Sequence, residues 1–316
     1  MKALLLENGK VQLRDVQKPS PGQDEALIEV LKAGICNTDL ELIKGYMGFS
    51  GILGHEFVGR VVEAPENNWG GKRVVGEINL PCGICDLCLR GEPRHCLSRD
   101  VLGIAGKNGA FAEYMTLPLK NLHAVPDNVT ETEAVFVEPL AAACEILEQV
   151  NVDGEMAVAV LGDGKLGLLI AQVMRLKTPH VDCYGKYDKK LRLLAGRGIQ
   201  TFKSQEKTKK TYDLVIEATG SPSGIQQALT LVRPKGRIVL KSTVPAESSI
   251  EMAKVVVDEI MLIGSRCGPF DRAIHFLEQK LICVKELVDR EFRLERGSEA
   301  LAFAEEPEII KVLLVP

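Results

Sequence analysis

Four cysteines within fifteen residues constrain this chain more than any other feature of it. Cys82, Cys85, Cys88 and Cys96 stand in PCGICDLCLRGEPRHC, with gaps of two, two and seven residues. Thiolates this close along a chain can wrap one tetrahedral ion, and zinc is the usual occupant. A zinc-type lobe is therefore expected over 82–96. His95 could stand in for one sulfur, but four thiolates already complete a tetrahedron. Cys144, Cys183, Cys267 and Cys283 read instead as packing residues.

Nine cysteines would suit a disulfide framework if a secretory leader preceded them. MKALLLENGKVQL is apolar only briefly before turning polar, so a reducing cytoplasm is expected, with thiols used for metal or packing. No run approaches the length of a membrane span. The net charge of −4 gives no basic face for nucleic acid or a membrane surface. At 316 residues, two domains are expected.

The first part of the chain is rich in strand signals. β-type runs occur at Ala26–Leu31, Phe57–Ala64 and Lys72–Ile78, punctuated by glycine and proline. After Pro126 the character changes, with a helix cap expected at Thr130 because Glu133 follows three residues later. Strands then alternate with helices: 156–161, 180–184, 213–220 and 236–242 against 166–176, 189–195 and 224–232. Such alternation predicts a parallel sheet covered by helices on both faces. The tail from Phe292 reads as strand, helix and strand, and resembles the first part. The fold class expected is thus α/β: a mainly-β domain at 1–127 and 269–316, interrupted by a doubly wound domain at 128–268. The one dense charge run, 204–210, reads as a solvated loop.

Gly162, Gly164 and Gly167 form GDGKLG between a predicted strand and a predicted helix. In that context the first glycine makes the turn, the second admits a pyrophosphate and the third lets helix and strand pack. The helix N-terminus supplies N–H groups to the anion. Alone the pattern is also an ordinary strand-to-helix turn. An acid at the tip of the next strand would select NAD, but Gly185 and Lys186 stand there, with Lys189 and Lys190 near and Asp182 mid-strand. The missing carboxylate and the basic residues favour NADP over NAD.

A second set of metal-type residues lies apart: Cys36 in GICNTDLE, His55 and Glu56 in GHEFVGRVVE, and Glu138 in VEPLAAA. A thiolate, an imidazole and a carboxylate would leave one position open on a zinc ion. Taken singly, each has a plain structural reading, and no spacing joins them.

GICNTD, GHEFVGRVVE, the cysteine lobe, GAFAEY, VEPLA and GDGKLG, in this order, resemble the zinc-containing medium-chain dehydrogenase/reductase family, the alcohol and polyol dehydrogenase group. The glutamate of VEPL is most similar to the sorbitol, threonine and glucose dehydrogenase branches. The resemblance implies a GroES-like catalytic domain, a Rossmann cofactor domain and two zinc ions per chain. Cys36, His55 and Glu138 would hold the catalytic ion, with Glu56 a nearby acid able to exchange onto it. Asp39 would orient His55, and Thr38 would begin a proton relay. Cys82, Cys85, Cys88 and Cys96 would hold the structural ion. Gly162, Gly164, Lys165, Leu166, Gly167, Gly185, Lys186 and Thr219 would meet the cofactor, and Lys311 its pyrophosphate.

Departures from the family are Glu41 where a relay histidine could stand, a short 242–260 segment, and Asp163 placing a carboxylate near the expected pyrophosphate. Phe49, Ile104 and Phe270 are the residues expected near a substrate. The activity implied is hydride transfer between an alcohol or polyol and a nicotinamide, in a cytoplasmic homodimer or homotetramer. Competing readings are a nicotinamide-binding redox sensor or scaffold without turnover, a zinc-finger-like module, and a zinc-free quinone or enoyl reductase.

Overall fold

The computed structural model of the chain describes residues 1–206, 208–243 and 247–316. Residue 207 of the charged run, and residues 244–246 of the short 242–260 segment, lie outside them. The chain forms two compact units, Met1–Glu138 with Phe270–Pro316, and Pro139–Pro269. The junctions expected from sequence are 127/128 and 268/269; the compact units meet at 138/139 and 269/270. The segment between opens a short helix with a capping box: Thr130 N–H donates to Glu133 at 2.8 Å, and Glu133 N–H donates to Thr130 Oγ1 at 3.3 Å. Lys280, from the tail, donates to the same Glu133 carboxylate at 3.0 Å. Burial alone would raise the Glu133 pKa, but the Thr130 and Lys280 donors hold it below the usual carboxylate range.

The main sheet of the first unit runs in the order Leu122–Ala124, Arg73–Gly76, Glu56–Glu63, Glu25–Gly34, Lys311–Val315 and Val288–Arg293. Tyr114–Pro118 also pairs with Glu25–Gly34. The last strand of the chain therefore lies beside one of the first, with Leu313 opposite Gly34. This is the discontinuous unit that the tail's composition suggested. The helix Asn37–Ile43 follows Glu25–Gly34 directly and carries the metal-type residues at its start.

The second unit is one parallel sheet in the order Gln200–Lys203, Val181–Gly185, Val158–Leu161, Tyr212–Glu217, Val232–Leu240 and Met261–Gly264. In chain order this is 3-2-1-4-5-6, the doubly wound arrangement that binds dinucleotides where the order reverses. Val158–Leu161 is buried at every position, as a strand covered on both faces must be. The two outer strands were not legible in the sequence. Each has only four residues with exposed ends, and Gln200–Lys203 shows no apolar run.

Candidate metal centre and dinucleotide site

In the 82–96 lobe the sulfurs converge. Sγ separations are 3.4 Å for Cys85–Cys88, 3.5 Å for Cys96–Cys82, 3.7 Å for Cys85–Cys96 and 4.0 Å for Cys82–Cys88. Four thiolates at about 2.3 Å from a zinc ion stand about 3.8 Å apart at the corners of a tetrahedron. The lobe therefore fits zinc in both chemistry and spacing. Backbone N–H groups of Ile84 and Cys85 bring the Cys82 thiol down to about 6, favouring the thiolate a metal needs. Burial and the neighbouring Cys85 push Cys88 up to about 12. His95 ends the short Pro93–His95 turn, outside the sulfur group.

The second group forms at the start of the Asn37–Ile43 helix. Donor atoms of Cys36, His55 and Glu56 lie within 4.8 Å of one another, and His55 and Glu56 are buried. Asp39 holds the group in place. Its Oδ2 accepts the Cys36 N–H at 2.8 Å and its Oδ1 accepts the Gly54 N–H at 3.3 Å. Oδ1 also lies 3.4 Å from His55 Nδ1, leaving Nε2 as the ring nitrogen for an ion. Burial works against a protonated His55, but Asp39 and Cys36 outweigh it and hold the imidazole well above its usual range. An ion at Nε2 would displace that proton. Gly54, with φ +97°, makes the turn before His55, and a Cβ there would meet the Phe111 ring.

The structure differs from the expected ligand set in its carboxylate. Glu56 belongs to the close group, whereas Glu138, in the first turn of Val137–Gln149, stands outside it. Thr38 Oγ1 is 3.7 Å from Cys36 Sγ, beside the group.

Lys311 is placed here too, not toward a cofactor. It is fully buried, forms an ion pair with Glu56 Oε2, and donates to the Ile35 carbonyl at 3.1 Å. Its ammonium has no exposed face from which to meet a pyrophosphate. Burial lowers Lys311 to about 8, against the pull of Cys36 and Asp39. Gly34 leaves the room: a Cβ there would be 2.4 Å from Lys311 Nζ. In the sequence Lys311 sits within an apolar run, and a lone lysine in a buried strand is the signal that a buried acid faces it.

Phe49 and Ile104 line a cavity of about 660 Å³ whose lining contains none of the metal-type residues. Phe270 is not on it and stacks on His123 at 5.3 Å. Cys144 and Cys183 are buried as expected, while Cys267 and Cys283 are partly exposed.

In the second unit the glycine loop has the geometry of an anion cradle. Gly162 has φ +117°, and a Cβ on it would meet the Ala218 carbonyl at 2.3 Å. A Cβ on Gly167 would meet the Gly162 carbonyl at 2.0 Å, so helix and strand touch backbone to backbone. Gly164 caps the Lys165–Arg175 helix, and space is open where its Cβ would be. Lys165 and Leu166 thus open a helix whose first N–H groups face an unobstructed loop.

Across the loop, Thr219 N–H and Oγ1 both donate to Glu217 Oε1, at 2.8 and 2.6 Å, and Ser242 Oγ donates to it at 3.0 Å. Gly220 N–H donates to Ser242 Oγ at 2.8 Å, fastening the ends of two neighbouring strands. Glu217 and Ser242 were not singled out from sequence, because only the fold makes them adjacent. Asp182 is confirmed mid-strand and occupied: Tyr212 and Lys210 donate to its Oδ2 at 2.7 and 2.9 Å.

Asp163 also departs from expectation. It is buried and turns away from the loop mouth. Its Oδ2 accepts the N–H groups of Lys186 and Tyr187, both at 2.7 Å.

Comparison with known proteins agrees with this architecture. Residues 22–127 match the alcohol dehydrogenase GroES-like domain, and 131–315 match the glucose dehydrogenase C-terminus. An erythritol/L-threitol dehydrogenase of Mycolicibacterium smegmatis is 31% identical over 96% of this chain and 94% of its own. A sorbitol dehydrogenase of Halalkalibacterium halodurans is 29% identical, covering 100% of this chain and 99% of its own. Among solved structures, the Escherichia coli CFT073 alcohol dehydrogenase rspB, complexed with NADH, superposes with a TM-score of 0.94 at 26% identity, over 100% of this chain and 99% of its own. A Sinorhizobium meliloti 1021 chain bound to NADP does so with a TM-score of 0.94 at 29% identity, with the same coverage. A parallel 3-2-1-4-5-6 sheet joined to a GroES-like unit, with these matches over its whole length, defines the class: the chain belongs to the zinc-containing medium-chain dehydrogenase/reductase family. Within that family it is an oxidoreductase of the alcohol and polyol dehydrogenase group. Among the described residues, no helix is long and apolar enough to cross a membrane.

Proposed function

We propose that the chain is a zinc-dependent dehydrogenase that oxidises an alcohol or polyol to the matching carbonyl compound and passes the hydride to a nicotinamide. The observation that carries this reading is the convergence of Cys36, His55 and Glu56 in a chain that also has a dinucleotide fold. The donor set is one that zinc accepts. Cys36 and His55 hold the ion with a carboxylate. Glu56 is the one at hand, and Glu138 is the alternative that the family resemblance favours. Lys311 pairs with Glu56 Oε2. The other four cysteines hold a second, structural ion.

When bound, the catalytic ion supplies Lewis acidity, which lowers the pKa of an oxygen it meets. Asp39 keeps His55 in the tautomer that offers Nε2 to the metal. The Thr38 hydroxyl receives the proton of the substrate hydroxyl and hands it to solvent. The Gly162–Gly167 loop and the Lys165 helix start hold the pyrophosphate, while Thr219 and Gly185 line the cofactor's path. A bound nicotinamide would supply the acceptor for the hydride of the alcohol carbon, the hydroxyl proton leaving through Thr38 and a carbonyl compound remaining. The protein acts on small molecules in the cytoplasm as a homodimer or homotetramer.

The test is zinc content followed by a panel of polyols, simple alcohols and aldehydes with both nicotinamides, read at the absorbance of the reduced cofactor. Two zinc ions per chain and turnover of a polyol are expected. Cofactor binding without turnover of any alcohol or carbonyl compound would make the chain a sensor instead.

A further inference from the structure

In a doubly wound sheet, an acid at the tip of the second strand hydrogen-bonds the adenosine ribose, and its absence leaves room for the 2′-phosphate of NADP. By sequence this chain lacks that acid, since Gly185 ends the Val181–Gly185 strand. The structure supplies a carboxylate at the same place from another segment. A Cβ on Gly185 would lie 2.5 Å from Asp163 Cβ and 2.7 Å from Asp163 Oδ2. The glycine is there because the Asp163 side chain fills the volume beside it. We infer that Asp163, reaching from the glycine loop to the tip of the second strand, is the residue that selects NAD(H) over NADP(H). The inference rests on the reading that this unit binds a nicotinamide dinucleotide.

Two effects act in the same direction. The first is charge: an adenosine 2′-phosphate brought to the strand tip meets a carboxylate, whereas a 2′-hydroxyl can donate to it. The second is occupancy. The N–H groups of Lys186 and Tyr187, which open the Asp188–Ala195 helix, are the backbone donors a phosphate there would use. Both already donate to Asp163 Oδ2 at 2.7 Å.

The basic residues that made NADP the expectation are partly committed elsewhere. Lys190 is buried with its ammonium 5.0 Å from the Tyr187 ring centroid. Lys203, a cation not invoked from sequence, donates to the Lys186 carbonyl at 2.9 Å and pairs with Asp188 at 2.8 Å. Lys186 and Lys189 are exposed near the tip. The acid and the glycine have in effect exchanged positions, so the sequence at the strand tip reads as NADP while the space there is acidic.

Titration calorimetry with NADH and NADPH on the zinc-loaded protein tests this without reference to turnover. Wild type is expected to bind NADH at least about tenfold more tightly than NADPH, and Asp163→Ser to narrow the ratio by about tenfold or more, chiefly by gaining NADPH. Asp163→Asn is the second variant. Its amide oxygen can still accept from Lys186 and Tyr187, so the fold is kept while the charge is lost, and the ratio should move the same way. Equal or tighter NADPH binding by wild type overturns the inference, as does an unchanged ratio in both variants. If wild type binds neither cofactor, the dinucleotide reading itself falls and this inference with it.

Discussion

The two metal-type groups are built in opposite ways. The 82–96 lobe draws four sulfurs from one short, largely exposed segment, and its geometry needs little beyond that segment. The Cys36 group draws its donors from a helix start and a strand start. It is buried, and it depends on Asp39 beneath it and on Lys311 from the far end of the chain. A local group can be lost without disturbing the sheet around it. A distributed one is part of that sheet, so its chemistry and the packing of the first unit cannot be altered separately.

The largest effect should come from the donors of the distributed group. Cys36→Ser or His55→Ala is expected to lower kcat/KM roughly a thousandfold or more, because a catalytic metal supplies several kcal/mol at the transition state. Calorimetry should still show cofactor binding, and retained turnover would remove the catalytic ion from this account. Comparing Glu56→Gln with Glu138→Gln by zinc content then decides which carboxylate is the ligand.

Next comes the pair behind it. Lys311→Met leaves the buried Glu56 carboxyl without its cation, and should cost about 3–5 kcal/mol of stability. Adding Glu56→Gln should restore most of that loss while leaving activity low. If the double variant were no more stable than the single, the pair would not be coupled.

The local group should respond more modestly and separately. Cys85→Ser is expected to release one zinc equivalent, open 82–96 to proteases and lower Tm by several degrees, with the Cys36 zinc retained. Loss of both ions together would show that the two groups are not independent.

The smallest effect lies outside both. Glu133 titrates below its usual range in the fold, so its stabilisation is fully present above the unfolded value and fades as pH falls through the folded one. Glu133→Gln should therefore cost about 1–2 kcal/mol at pH 7 and almost nothing in strong acid, measured by urea unfolding at each pH. A pH-independent difference would assign the loss to packing.

The same contrast explains what was legible in the sequence. The cysteine lobe could be read from spacing alone, because its geometry is local. The alternating strands and helices of the second unit were readable from composition, except at the two partly exposed outer strands. The distributed group could be assembled only through resemblance. Even then no spacing records that Lys311 reaches Glu56 or that Asp163 reaches Gly185. Such pairs are set by strand order, which a linear pattern does not carry.

The position of Lys311–Val315 between Glu25–Gly34 and Val288–Arg293 also orders events during synthesis. Every strand of the second unit has been translated by Gly264, so its sheet can assemble on the ribosome. The first unit must hold an open slot in its sheet until Lys311–Val315 emerges. Glu56 waits for its cation through the translation of more than two hundred further residues, until Lys311 emerges to pair with it.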